Sequence, residues 1–180
     1  MTYYPVLFLD IDGVFSTSRC LLEDYDEDDP SLLFVRDLCP DVKEFIVPLE
    51  KSYILNLKWI LDAQPVHFVI SSTWRQCDNY KNFFLAALRE CGIDTSRYIG
   101  DTPTLSAVEG RGAEIRQWLS ENSHVGEHFV IIDDDHEVSF KHHGLDKHWV
   151  QTIMRSDNPT EEGFSPQQAQ LVMTKLHSFL

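Results

Sequence analysis

The chain is poor in positive charge and has no paired cysteines. Fifteen Lys and Arg stand against 29 Asp and Glu, giving a formal net charge of −14. A phosphate backbone or an anionic membrane is repelled at long range by such a surface. Bulk nucleic-acid binding is therefore not expected, and any phosphate-bearing ligand must be captured locally. Cys20, Cys39, Cys77 and Cys91 show no C-x-x-C spacing, which argues for reduced thiols rather than a disulfide framework or a zinc site. No apolar run approaches the roughly 18–20 residues of a membrane span, and MTYYPVLFLD lacks the basic start of a signal peptide. The expectation is a cytoplasmic monomer without membrane association. No repeat or linker divides the 180 residues, so residues 1–180 are expected to form a single domain with its own core.

What is present alternates. YYPVLFLD (3–10), VHFVIS (66–71), RYIG (97–100) and EHFVIID (127–133) read as strands, with a weaker one at HWVQTI (148–153). Between them, IVPLEKSYILNLKWILDA (46–63), NYKNFFLAALREC (79–91) and GAEIRQWLSEN (112–122) carry helical periodicity. SPQQAQLVMTKLHSF (165–179) closes the chain as a helix opened by Ser165 and Pro166. Strand–helix alternation predicts an α/β fold, a parallel sheet covered on both faces, with ligands at the carboxyl ends of the strands.

Residues 16–48 interrupt the alternation and read as a short acidic insertion over those strand ends. Its run of Glu23, Asp24, Asp26, Glu27, Asp28 and Asp29 fails as a calcium loop, because Asp29 stands where the turn needs Gly and Val35 where it needs a bidentate acid. A solvated acidic loop is expected instead. His136, His142, His143 and His148 lack the spacing of a zinc site and read as a pH-sensitive or substrate-facing loop.

The strands end in chemistry. Asp10 and Asp12 share a face if the strand continues, and Gly13 permits the turn that follows. A second apolar strand ends in Asp133, Asp134 and Asp135. Two such ends side by side make an oxygen-rich pocket suited to Mg²⁺. A third strand ends in Ser71, Ser72 and Thr73, followed by Trp74 and Arg75, which offers neutral and cationic donors for a phosphoryl group. Arg111, between two glycines at a helix start, is placed to neutralise phosphate or to pair with a carboxylate, or else to lie on the helix surface.

LDIDGV, the SST hydroxyls, Arg111 and IIDDD, in that order, resemble the four motifs of the haloacid dehalogenase-like (HAD) phosphohydrolases. SSTWR, RGAEIRQWL and VIIDDD resemble more narrowly the HAD domain of Swiss army knife RNA repair proteins. The resemblance implies a three-layer Rossmann-like fold with a small cap or none, and a Mg²⁺-dependent phosphomonoester hydrolase. It implies Asp10 as nucleophile, Asp12 as acid and base, and metal held by Asp10, the Asp12 carbonyl and either Asp133 or Asp134. Asp135 would be a solvated neighbour. Phosphate would be bound by Ser72, or by its neighbour Ser71, with Arg75 beside them and Arg111 cancelling charge. The substrate would be a small-molecule phosphate, a phosphoprotein or a nucleic-acid end. A catalytically silent binding module of the same fold is the alternative.

Overall fold

The computed structural model describes residues 4–21, 25–106, 108–135, 137–158 and 161–178. Glu23, Asp24 and His136 lie outside them. Five parallel strands form the main sheet: β1 (Val6–Leu9), β4 (His67–Ile70), β5 (Tyr98–Asp101), β6 (Phe129–Asp133) and β7 (Trp149–Gln151), in the order β5-β4-β1-β6-β7. All four residues of β1 are buried, which accounts for its unbroken apolar run: a central parallel strand is covered on both faces.

Alternation along the strands divides the core into two. Leu7, Leu9, Phe68, Ile70, Val130 and Ile132 face one way. They pack against α3 (Lys51–Ala63), α4 (Asp78–Glu90) and α7 (Pro166–His177), through residues such as Ile54, Leu57, Phe83, Phe84 and Val172. Val6, Phe8, Val69, Phe129 and Ile131 face the other way, against Ile115, Trp118 and Leu119 of α5 (Gly110–Glu121) and Phe140 of α6 (Glu137–Lys141). The result is the expected three-layer, Rossmann-like α/β arrangement. As expected, α7 is opened by Ser165, whose hydroxyl accepts from Gln167 N at 3.3 Å, with Pro166 next.

The helix expected from residue 46 starts at Lys51, because Leu49–Glu50 (β3) pairs antiparallel with Leu32–Leu33 (β2). That small sheet, α1 (Ser18–Leu21) and α2 (Val35–Leu38) give the 16–48 stretch its structure. The described part of the acidic run is solvated as expected, with Asp26, Glu27 and Asp28 exposed, and it is tied down by ion pairs of Arg19 with Asp29 and of Arg36 Nη1 with Glu27 at 2.9 Å. All four cysteines are free, and no helix among the described residues is long and apolar enough to cross a membrane.

His148 does not belong to a substrate-facing loop. It is buried, stacks on Phe129 with ring centroids 3.9 Å apart, and sits between Phe129 O and Glu127 Oε2, each at 3.0 Å. Glu127 also receives Lys147 Nζ at 2.8 Å. Hydrogen bonds from Lys147 and His148 pull the Glu127 carboxyl down to about 2. Its folded value lies below the ordinary one of about 4.3, so its contribution to stability is complete above that ordinary value and disappears as pH falls toward 2. Glu127→Gln should therefore flatten the pH dependence of the unfolding midpoint between pH 5 and 2, read by circular dichroism.

At Gly112, α5 lies close against Ser139 of α6. A Cβ there would overlap Ser139 O and lie 2.6 Å from His143 Cδ2. Gly112→Ala should cost about 1–3 kcal/mol through overpacking, measured by urea unfolding, and should shift α5 together with Arg111.

Candidate active site

The site lies at the carboxyl end of the sheet, where three neighbouring strands run out. Leu9 pairs with both Ile70 and Ile132, and the ladder continues one step, with Asp10 N donating to Ile132 O at 3.0 Å and Ser71 N to Leu9 O at 2.9 Å. That step places Asp10, Ser71 and Asp133 on the α5 face, the face of Phe8, Val69 and Ile131. The next residue of the third strand, Asp134, lies over the turn at Gly13. Gly13 has φ +70°, and a Cβ on it would stand 2.7 Å from Asp134 Cβ and overlap its carboxylate. Glycine thus serves two ends here, a left-handed turn and room for an acid.

One carboxylate oxygen from each of Asp10, Asp133 and Asp134 lies within 4.8 Å of the others. The strand end brings both Asp133 and Asp134 to Asp10. Three oxygen donors without nitrogen or sulfur suit a hard cation such as Mg²⁺. Burial pushes the Asp133 carboxyl well up, and Asp10 adds to it. For Asp134, burial and then Asp10 raise the value to about 6. Asp135 stays at the edge, its N–H closing on Asp133 Oδ1 at 2.9 Å.

Arg111 completes the cluster. Its Nη1 donates to Asp10 Oδ1 at 2.9 Å and Asp133 Oδ2 at 3.1 Å, so the helix-surface alternative does not describe it. Burial opposes its charge, but Asp10 and Asp133 outweigh that and raise its pKa.

Asp12 stands apart from these three acids. Trp74 Nε1 donates to Asp12 Oδ2 at 3.0 Å and Oδ1 at 3.2 Å. Burial, and then the charge of Asp10, raise its carboxyl to about 6. Trp74 itself is buried between Tyr80 and Phe83, so it is core on one side and a donor on the other.

Two expectations about the phosphate side change. Ser72, favoured from the sequence, has its hydroxyl turned to the short 3₁₀ turn at Thr73–Gln76, accepting from Trp74 N at 3.4 Å. Ser71 lies beside Asp10, fully buried, and its hydroxyl has no hydrogen-bond partner among the described residues. Arg75 is not available for phosphate. A guanidinium has five N–H donors, and these meet Ser71 O, Ser72 O, Thr102 O, Pro103 O and Glu114 Oε2.

Glu114 went unnoticed in the sequence. It is buried, reaches Arg75 Nη2 at 2.8 Å, Arg111 Nε at 3.8 Å and Leu105 N at 3.1 Å. Its one available signal was its place one turn after Arg111, on the same helix face. Backbone amides are also sorted by the turn. Those of Gly13, Val14, Phe15 and Ser16 are spent on Ser16 O and Ile11 O, and no backbone bond among the described residues engages Ile11 N–H or Asp12 N–H.

A parallel sheet whose central strand ends in Asp10 and Asp12, faced by the acids of its neighbour and by an arginine, defines a HAD-type domain, the fold of a hydrolase superfamily. The family described as the HAD domain in Swiss Army Knife RNA repair proteins matches residues 6–169. The chain belongs to that family. Among curated proteins, no sequence matches it.

Proposed function

We propose that the chain is a Mg²⁺-dependent phosphomonoester hydrolase that works through an aspartyl-phosphate on Asp10, as one monomeric domain over residues 1–180, in the cytoplasm. The observation that carries this reading is the separation of the acids: Asp10, Asp133 and Asp134 converge, while Asp12 is held aside by Trp74. Asp10, Asp133, Asp134 and the Asp12 carbonyl would hold Mg²⁺, which would offset the charge of the phosphoryl group and of the carboxylates around it.

The rest belongs to the chain. An Asp10 oxygen bonds to phosphorus as the ester P–O bond breaks, and Asp12 gives its proton to the leaving oxygen. Water then attacks the phosphorus, passing a proton to Asp12, and the acyl-phosphate P–O bond breaks to release phosphate and restore Asp10. An acid raised to about 6 suits both proton transfers near neutral pH. Arg111, Ser71 Oγ and the amides of Ile11 and Asp12 would hold the phosphoryl oxygens in a site already arranged for them.

The substrate is a small phosphomonoester, a phosphoprotein or a nucleic-acid end; the family's association with RNA repair proteins favours the last, and the net charge of −14 opposes long-range attraction of a polyanion. Phosphate release from 4-nitrophenyl phosphate that needs Mg²⁺ and stops with a chelator tests the enzyme reading. Absence of release across nucleotides, sugar phosphates, phosphopeptides and oligonucleotide ends would leave the binding module.

A further inference from the structure

A groove of about 390 Å³ opens beside the catalytic cluster, between the Thr73–Gln76 turn and the segment around Thr104–Ser106, with Arg111 and Asp135 at its base. Its size is at the low end of the roughly 300–1,000 Å³ of small-molecule sites. We propose that this groove is the leaving-group subsite, and that it selects an alcohol bearing further hydroxyl groups, as a pentose does. The inference rests on the phosphatase reading above, because it assigns the other half of the ester.

Three observations carry it. The first is placement. The base of the groove is Arg111, whose Nη1 touches Asp10, and one wall is the turn whose Trp74 holds Asp12. The groove thus adjoins both carboxylates through Arg111 and the Thr73–Gln76 turn, and is placed to receive the alcohol of an ester cleaved between them.

The second is chemistry. Thr73 Oγ1, Thr104 Oγ1 and the Gln76 amide line the space, and no hydrogen bond among the described residues engages them. Ser106 Oγ donates to Glu109 at 2.7 Å and keeps its capacity to accept. Such groups both give and receive hydrogen bonds, as hydroxyls do. Among the described residues no aromatic side chain lines the groove, and Asp135 disfavours a second anionic group. A site that hydrogen-bonds a substrate hydroxyl rejects the analogue lacking it more strongly than an apolar pocket rejects a missing methylene.

The third is rigidity. Arg75 binds Ser71 O and Ser72 O on one wall and Thr102 O and Pro103 O on the other. Glu114 binds Arg75 and Leu105 N across the same gap. The walls are cross-linked, and a preformed site loses less on binding.

Pentose hydroxyls come either from a free sugar phosphate or from a ribonucleotide end, and paired substrates separate the two. The test compares kcat/KM in Mg²⁺ for ribose 5-phosphate against 2-deoxyribose 5-phosphate, and for RNA against DNA oligonucleotides with a 3′-phosphate. It uses the wild type, Thr104→Val and Gln76→Ala, with 4-nitrophenyl phosphate alongside. At least tenfold preference for the hydroxylated member of one pair is expected, falling below threefold in at least one variant. The ratio within a pair is insensitive to partial loss of folded protein. Equal rates within both pairs, or a preference that both variants keep, overturn the groove assignment while 4-nitrophenyl phosphate is still hydrolysed. If no substrate is hydrolysed, the phosphatase reading fails separately. The groove is then judged by calorimetric binding of ribose 5-phosphate to the wild type and to Thr104→Val: binding weakened at least fivefold by the substitution upholds it, and any other result overturns it.

Discussion

Asp10→Asn should lower phosphate release by at least about 10³-fold, the scale on which loss of a covalent nucleophile is felt, with the loss in kcat rather than KM. The substitution keeps the size and shape of the side chain and removes one of three carboxylates whose oxygens lie within 4.8 Å of one another, so the repulsion within the cluster falls. Against that, Arg111 loses the charge of one of its three acidic partners but keeps Asp133 at 3.1 Å and Glu114 at 3.8 Å. These changes oppose each other, and the variant should remain folded with a melting midpoint near that of the wild type. Steady-state phosphate release and a thermal melt on the same preparation check both halves. A variant that is folded and retains more than a tenth of the activity would remove Asp10 from its role.

Arg75→Met should have the opposite signature, a loss of about 3–5 kcal/mol in stability, the cost of breaking a buried ion pair by removing one partner. Glu114 would be left buried without its partner at 2.8 Å, and four backbone carbonyls would each lose a donor. Chemical denaturation reads this directly. A phosphate-binding arginine would behave differently, raising KM for a phosphomonoester with little change in the unfolding midpoint. Because Arg75 and Glu114 share one network, the double variant Arg75→Met/Glu114→Gln should be less destabilised than the sum of the single changes.

These two residues also show what the sequence carries and what it does not. Asp10 was legible because a strand ending in two acids and a glycine is a local pattern, and its partner pattern at Asp133 and Asp134 is equally local. The layers were legible for the same reason: β1, β4 and β6 are short apolar runs, and α3, α4 and α7 keep a helical period. Arg75 was not legible, since an arginine after a run of hydroxyls looks the same whether it faces a ligand or its own backbone. Its carbonyl partners at Thr102 and Pro103 arrive from a distant strand end. The sequence favours Ser72 over Ser71 because one residue of register decides which hydroxyl faces Asp10, and register is set by the hydrogen bonds that Leu9 O accepts from Ser71 N and Ser72 N, outside the strand's own sequence. His148 was misread because nothing near it reveals Phe129 and Glu127, about twenty residues earlier in the chain.

The central position of β1 has a consequence for how the protein comes into being. Residues 10, 71, 111 and 133 meet only after strands separated by some sixty residues have aligned side by side, and contacts of such separation form slowly. A fragment that lacks β1, β4 or β6 lacks part of this cluster. Recovery of turnover after dilution from denaturant therefore marks completion of the sheet.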